Sequence, residues 1–539
     1  MMRSKKGRDR TRWLRVMPAA TALLATLLVA GTVFCQQAPR AVRTVTISAD
    51  RPVGEVYRFW SVGNFVMTSD LLVPGGIETF RGQVPFVTEA NLVYLLGGRY
   101  EDQNLWFLGL DPEGKLKVDF TGMIAQLKAC IAAGYTPRIV FDNIPYAMSD
   151  PPKPNTYGNT APPKDERVWR EYVQLAVEAM VKGFGRATVA KWWFRVGTEP
   201  DYFPSHWSGT REQYFAHYDY TADGLARALP EAKIGPGNIL RPLGRSWGLD
   251  IIDHAAAETN FATGGIGTRL DVFSCSWYAG VGNSAGGLDD TVSVMRQRLD
   301  RYPRFRGVPI EAGEYSILDD EARHRLYAGE TTEWSASFQA ALAARVYVRN
   351  VSKMYEWDEA TMGVLHPRGL VLAMLERMAG GTRLDATGSD TAVDSGALAC
   401  RKDDNLYILA FNHRPERKTE GNATLRLVVR DPRMRENARW RLTEETVDRE
   451  HGVWAYAFEA DAKAAGLTPL PTAGLYEGSP LRLYGERGPD VFRANIEKYR
   501  AMAVAAKTRD ELVSVGKGVF ELDLDMPPHS VRLIRLTPG

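Results

Sequence analysis

From about residue 59 to residue 380 the chain alternates short apolar runs with longer segments whose apolar residues recur every three or four positions. The short runs fit strands and the long ones fit helices. "PRIVF" (137–141) follows a helix-like segment that stops at Ala133-Gly134, and glycine is a natural helix stop. The segment 162–185 predicts a helix with Val168, Tyr172, Leu175 and Ala179 on one stripe, entered through Pro162-Pro163 and Asp165. "WWFRV" (192–196) is the next strand, and 210–229 is helical again. Further strands are expected at 232–237, 271–278, 308–315 and 351–357. Strands separated by helices at this spacing predict a parallel sheet, and roughly eight such units predict an α/β fold of the (β/α)8 TIM-barrel type.

After about residue 381 the texture changes. Short β-type runs at 405–413, 423–429, 519–526 and 529–536, separated by turns, predict a C-terminal antiparallel β-sandwich behind the barrel. The run 43–50 is a candidate strand completing it. The expected division is a leader at 1–40, a barrel at 41–380 and a sandwich at 381–539.

The leader is a targeting segment. "MMRSKKGRDRTRWLR" carries seven Lys or Arg, and residues 16–35 then run almost without polar side chains. This reads as a signal peptide or an uncleaved anchor, so the remainder is expected to be exported: secreted, periplasmic or membrane-anchored outside the cytoplasm. A membrane partner is expected only through this segment, and only if it stays attached. Oligomeric state is not legible. Lys+Arg 67 against Asp+Glu 65 leaves no basic excess, so nucleic acid is not an expected partner. Cys35, Cys130, Cys275 and Cys400 are scattered without metal-ligand spacing; buried free thiols are expected, and no metal site. Phosphate-cradling glycine loops are also missing from the sequence.

In such a barrel the side chains at the C-terminal ends of strands face the active site. Glu199 closes "WWFRVGTE" and Glu314 closes "VPIEAGE". Two carboxyls from different strands suit retaining glycoside hydrolysis, one protonated to release the leaving oxygen and one ionised to attack the anomeric carbon. The plain alternative is a pair of solvated or ion-paired residues. Pro200 is expected to break the strand and hold Glu199 in extended backbone. Glu311, three residues before Glu314, is expected to point to the other side by strand alternation, as a packing or ion-pair residue.

The flanks change the balance. "WWFRVGTEPDYF" followed by "REQYFAHYDYTADGLARALPEAKIGPGNI" resembles glycoside hydrolase family 39, the β-xylosidase and α-L-iduronidase family, with its W-x-F-E-V-W-N-E-P-N motif. "PPKDERVWREYV", "VPIEAGEYS" and "MPPHSVRLIRL" resemble further motifs of the family in order, over residues from about 43 to 539. The resemblance implies Glu199 as general acid/base and Glu314 as nucleophile, with a carbohydrate substrate and no cofactor. Three positions depart from it: Thr198 stands for the usual Asn, Leu96 for a His, and Ser276-Trp277-Tyr278 keeps only the Tyr of a His-x-Tyr. Thr198, Ser276 and Tyr278 are therefore candidate sugar contacts beside Asn64, Asn143 and Trp357, which lie at ends of the first, third and eighth barrel strands. Asn143 could equally cap its loop. The competing readings are a catalytically silent carbohydrate-binding barrel and a transglycosylase or inverting enzyme on the same fold.

Overall fold

The computed structural model describes residues 42–539 except 245, 318–328, 358, 390–393, 418–419 and 471–479. The leader expected at 1–40 lies outside the described residues. Among these, no helix is long and apolar enough to cross a membrane.

Eight parallel strands form a nearly closed barrel: β2 (Val62–Phe65), β3 (Glu89–Leu92), β4 (Thr136–Phe141), β5 (Trp193–Val196), β6 (Lys233–Pro236), β7 (Phe273–Ala279), β8 (Ile310–Ile317) and β9 (Val351–Glu356). Their order is β6-β5-β4-β3-β2-β9-β8-β7. The remaining gap is bridged just beyond β6, where Ile239 pairs in parallel with Cys275. The helices that follow the strands are α1 (Gly76–Gln83), α2 (Thr121–Ala132), α3 (Glu166–Phe184), α4 (Arg211–Ala228), α5 (Asp250–Ala257), α6 (Gly287–Asp300), α7 (Glu333–Arg349) and α8 (Pro367–Met378).

Local chemistry explains the helix limits. Asp165 caps α3 by accepting the Arg167 N–H, and the helix ends where Gly185 takes a positive φ. The buried stripe of α3 is Trp169, Tyr172, Val173, Ala176, Val177 and Met180. A full capping box, Thr210 with Gln213, opens α4; caps of this kind are worth about 1 kcal/mol. By contrast α7 is buried on almost every side, through Trp334, Phe338, Gln339 and Leu342 among others. It lies between barrel and C-terminal sheet, so only its last turn, at Val348 and Arg349, is left to water.

The second layer is one nine-stranded sheet. It comprises β1 (Val42–Glu55), β10 (Thr382–Thr387), β11 (Ser395–Lys402), β12 (Asn405–Asn412), β13 (Ala423–Arg430), β14 (Ala438–Val447), β15 (Ala506–Val515), β16 (Val519–Met526) and β17 (Ser530–Pro538), in the order β15-β14-β17-β12-β11-β10-β1-β13-β16. β1 runs antiparallel to β10 and parallel to β13, with Val42 opposite Thr424 and Ser48 opposite Arg430. Trp440 and Leu442 of β14 share a core with Leu425 and Leu427 of β13, although five strands separate them in the sheet. The sheet is therefore rolled over on itself, which is how the expected sandwich is built. Leu398, Leu409, Phe411 and Leu533 on its other face join the barrel's core.

One excursion differs from the β texture expected after 381. Between β14 and β15 lie α9 (Ala455–Ala464), α10 (Gly488–Ala494) and α11 (Ile496–Met502). The aromatic run Trp454–Phe458 suits a strand, but the alanines that follow favour a helix. Trp454, Phe458, Phe492 and Tyr499 form a separate core, and Trp454 Nε1 donates to Leu365 O (2.8 Å) beside the start of α8.

The barrel interior is filled with charge. Arg138 on β4 donates to both carboxylate oxygens of Glu311 (3.0 and 2.8 Å) and to Glu89 Oε2 (2.9 Å). Lys353 completes the pairing of Glu89 (2.8 Å), and Tyr355 donates its hydroxyl to Glu311 Oε2 (2.6 Å). Glu311 is an ion-pair residue, but the alternation argument for its direction is corrected. β8 carries one extra residue against β7: Ala312 pairs with Cys275, while Glu314, not Gly313, pairs with Ser276. The bulge resets the alternation, so Glu311 and Glu314 both face the interior at different depths. Replacing Glu311 by Gln leaves the Arg138 charge buried with a weakened partner set, and the expected loss of unfolding free energy is about 3–5 kcal/mol. Urea denaturation of the variant measures it; a loss near zero would mean that Arg138 finds solvent or another partner.

Candidate active site

The chain leaves β5 through Gly197-Thr198-Glu199-Pro200, with Gly197 and Glu199 both left-handed at φ 77° and 44°. The extended backbone expected for Glu199 is therefore corrected. Pro200 disfavours the right-handed helical step before it, which leaves extended or left-handed backbone. Two hydrogen bonds select the latter: Glu199 N–H donates to Asn238 O (3.0 Å) beyond β6, and Glu199 O accepts from Tyr202 N–H (2.9 Å). Such backbone costs on the order of 1–3 kcal/mol in a residue with a side chain.

Glu199 is buried, and Glu314, after the bulge in β8, is half-buried. Tyr278 on β7 donates its hydroxyl to Glu314 Oε2 at 2.6 Å. Ser276 accepts from Asn238 Nδ2 (2.6 Å) and hydrogen-bonds Glu199. Burial raises the pKa of both carboxyls, and the charge of Glu314 raises Glu199 further. For Glu314 that effect is opposed by the Tyr278 hydroxyl, the Arg195 charge and an Asn238 hydrogen bond. Glu199 is thereby the better proton holder and Glu314 the better anion. His206 Nε2 lies 3.5 Å from Glu199 Oε2. Burial and the nearby Arg99 push that imidazole down to about 4, so it stands neutral, stacked on Tyr157 with ring centroids 4.2 Å apart.

Ser276 and Tyr278 thus reach the two glutamates. Thr198 does so indirectly, because its hydroxyl donates to Asp142 Oδ2 (2.5 Å) and accepts from Arg195 Nη2 (3.3 Å). Trp357, one residue past β9, has its Nε1 buried without a hydrogen-bond partner among the described residues. Asn64 on β2 accepts from Asn91 Nδ2 (2.7 Å) and donates to Gly313 O (3.4 Å), the peptide before Glu314. Asn143 is left-handed at φ 53° and braces the loop at Asn159 through its amide (3.1 Å), the loop-capping alternative. It also lines a small pocket of about 20 Å³ shared with Asp142, Thr198, His206 and Tyr214, room for about one water molecule.

Asp142, Arg195, His206 and Asn238 are the participants that sequence reasoning missed. Arg195 did carry a signal, being a charge inside an otherwise apolar strand. Asp142 follows directly after the apolar run of β4. His206 and Asn238 sit in loops and carried none.

The chain belongs to glycosyl hydrolases family 39, whose sequence model matches residues 44–367. It is 25% identical over 256 residues to an alpha-1,4-L-rhamnosidase of Formosa agariphila, covering 45% of this chain and 51% of that protein. It is 30% identical over 200 residues to the alpha-L-iduronidase of Mus musculus, covering 36% of this chain and 30% of that protein. The chain thus spans about half the length of the first relative and under a third of the second. In fold it resembles a monomeric beta-xylosidase from Caulobacter crescentus CB15, with a TM-score of 0.69 and 18% identity over 92% of this chain and 99% of that one.

Because the folded pKa of Glu199 is raised, the stability it contributes is full below the unfolded value near pH 4 and is lost as pH climbs through the raised value. Glu199→Gln does not titrate. The variant is expected to match wild type near pH 4 and to be more stable at pH 8, by roughly 4 kcal/mol. Thermal unfolding at both pH values tests this; equal stability at pH 8 would place Glu199 in a solvated setting.

Proposed function

We propose that the protein is a retaining glycosidase acting by double displacement on an oligo- or polysaccharide outside the cytoplasm. The observation that carries this reading is the unequal setting of two glutamates at the mouth of one barrel. Glu314, hydrogen-bonded by Tyr278, attacks the anomeric carbon and forms a glycosyl ester. Glu199 gives its proton to the departing oxygen, then takes one from the water that hydrolyses the ester. Ser276 orients Glu199, and Trp357 offers an aromatic face to the sugar. The leader's basic and apolar pattern supports export as a secreted, periplasmic or membrane-anchored enzyme.

The sugar is narrowed by one further feature. Arg99 packs over the rings of Tyr94 and Tyr100 (4.5 and 5.2 Å) and forms no ion pair among the described residues. Its charge reaches Asp142 and His206 beside the glutamates. This favours a sugar carrying a carboxylate or sulfate over a neutral one. A silent binder is the second reading, favoured by the engagement of the Thr198 hydroxyl with Asp142, which leaves it turned from any sugar.

Aryl α-L-iduronide, β-D-xyloside and α-L-rhamnoside form the first substrate panel. Turnover is expected with net retention, read from the first-formed anomer by proton NMR. Glu314→Gln is expected to abolish it. Glu199→Ala should lose at least about 100-fold and recover in part with added azide. Binding without turnover across the panel would favour the silent barrel, and the inverted anomer would exclude double displacement.

A further inference from the structure

Three carboxyls meet at the barrel mouth, Asp142 from β4, Glu199 from β5 and Glu314 from β8, with one guanidinium among them. Arg195 is 6% exposed. Its Nη1 donates to Gly313 O (3.4 Å) and its Nη2 to Thr198 Oγ1 (3.3 Å), while its Nε is buried without a partner among the described residues. Gly313 immediately precedes Glu314, and Thr198 immediately precedes Glu199. A Cβ on Gly313 would stand 2.7 Å from Arg195 Nη1 and 3.0 Å from Asn238 Cβ. The bulge therefore brings bare backbone against the guanidinium, at a place where any side chain would push it away.

We propose that Arg195 is the positioning residue for both glutamates, holding the peptide before Glu314 and the hydroxyl before Glu199 while supplying the positive charge between them. The inference rests on the roles given to Glu199 and Glu314 above. With Glu199 protonated, Asp142 and Glu314 leave two negative charges against one positive. Without Arg195 no cation of the described residues lies among them, Arg99 reaching only Asp142 from the rim, and a second proton is drawn in. Burial already raises Asp142, Glu199 and Glu314, and the Arg195 charge lowers all three. The other groups bearing on this set are Tyr278 on β7, Tyr94 after β3, Asp201 and His206 after β5, Tyr214 on α4, Tyr355 on β9, and Arg99 at the rim. Of these only Arg99 is cationic, His206 being neutral, and Arg99 acts on Asp142 rather than on Glu314 among the principal effects.

The pH profile of kcat/KM separates positioning from mere packing. In Arg195→Met the acid limb, which reports the nucleophile, is expected to move up by about one pH unit or more, with kcat reduced about 100-fold and KM little changed. Arg195→Lys should return the limb to its wild-type place but not the rate, since one ammonium cannot reach both Gly313 and Thr198. Gly313→Ala displaces the guanidinium while keeping its charge, so kcat should fall with the limb unmoved. A folded Arg195→Met variant with wild-type limbs would overturn the proposal, as would wild-type kcat in Gly313→Ala. If Arg195→Met does not fold, wild-type kcat in Arg195→Lys would overturn it equally. Should the wild type cleave no glycoside, the catalytic reading fails separately. Carbon-13 NMR titration of Glu314 in wild type and Arg195→Lys or Met then decides: a pKa raised only in Met supports the inference, and an unchanged value in Met overturns it.

Discussion

In the middle of the barrel a guanidinium lies between two carboxylates, and the rest of the interior is arranged around that contact. Arg138 reaches from β4 to Glu311 on the far strand β8 and to Glu89 on its neighbour β3. Charges buried in a closed barrel have no water to fall back on, so each must be matched within it. Once Glu311 is committed to Arg138, β8 cannot bring Glu314 to the mouth by regular alternation. The added residue at Gly313 solves this geometrically: one strand serves an ion pair at one depth and the Glu314 carboxyl at another. The backbone it exposes is what Arg195 and Asn64 bind.

The mouth itself is held against its own preferences. Two glutamates with raised pKa values, a third carboxyl beside them and a left-handed backbone at Glu199 each oppose folding. Hydrogen bonds from Tyr278, Thr198 and Asn238 offset part of this. The unequal distribution of those bonds is what makes two chemically identical side chains differ, since only their surroundings distinguish the proton holder from the anion.

The barrel and the end of β5 were legible in the sequence because apolar runs, helix caps and a glutamate before proline are local signals; the end of β8 was not, since that strand runs on past Glu314 to Ile317. Thr210 with Gln213, and Asp165 ahead of α3, mark their helices within four residues. The side on which Glu311 points was not legible, because one unpaired residue reverses the period and only the pairing with β7 reveals it. Neither was the engagement of Thr198, whose partner Asp142 lies 56 positions away. The helical excursion after β14 hid behind an aromatic run, and its core depends on Val364 from another part of the chain.

The place of β1 has a consequence for how the protein is made. This strand, Val42–Glu55, is among the first parts of the described chain to be synthesised, yet its parallel neighbour β13 ends at Arg430. At ordinary translation speeds the interval is roughly 20–80 s, for most of which Val45, Ile47 and Ala49 have no core to enter; Leu384, Ala399 and Ile408 arrive near its end, and β13 comes last. The unfinished chain must carry an open strand edge for that time, the kind of surface on which nascent chains stick to one another. Arg43, Arg51 and the threonines between the apolar positions keep that edge charged and polar while it waits, so the same residues that serve the finished sheet also guard the incomplete one.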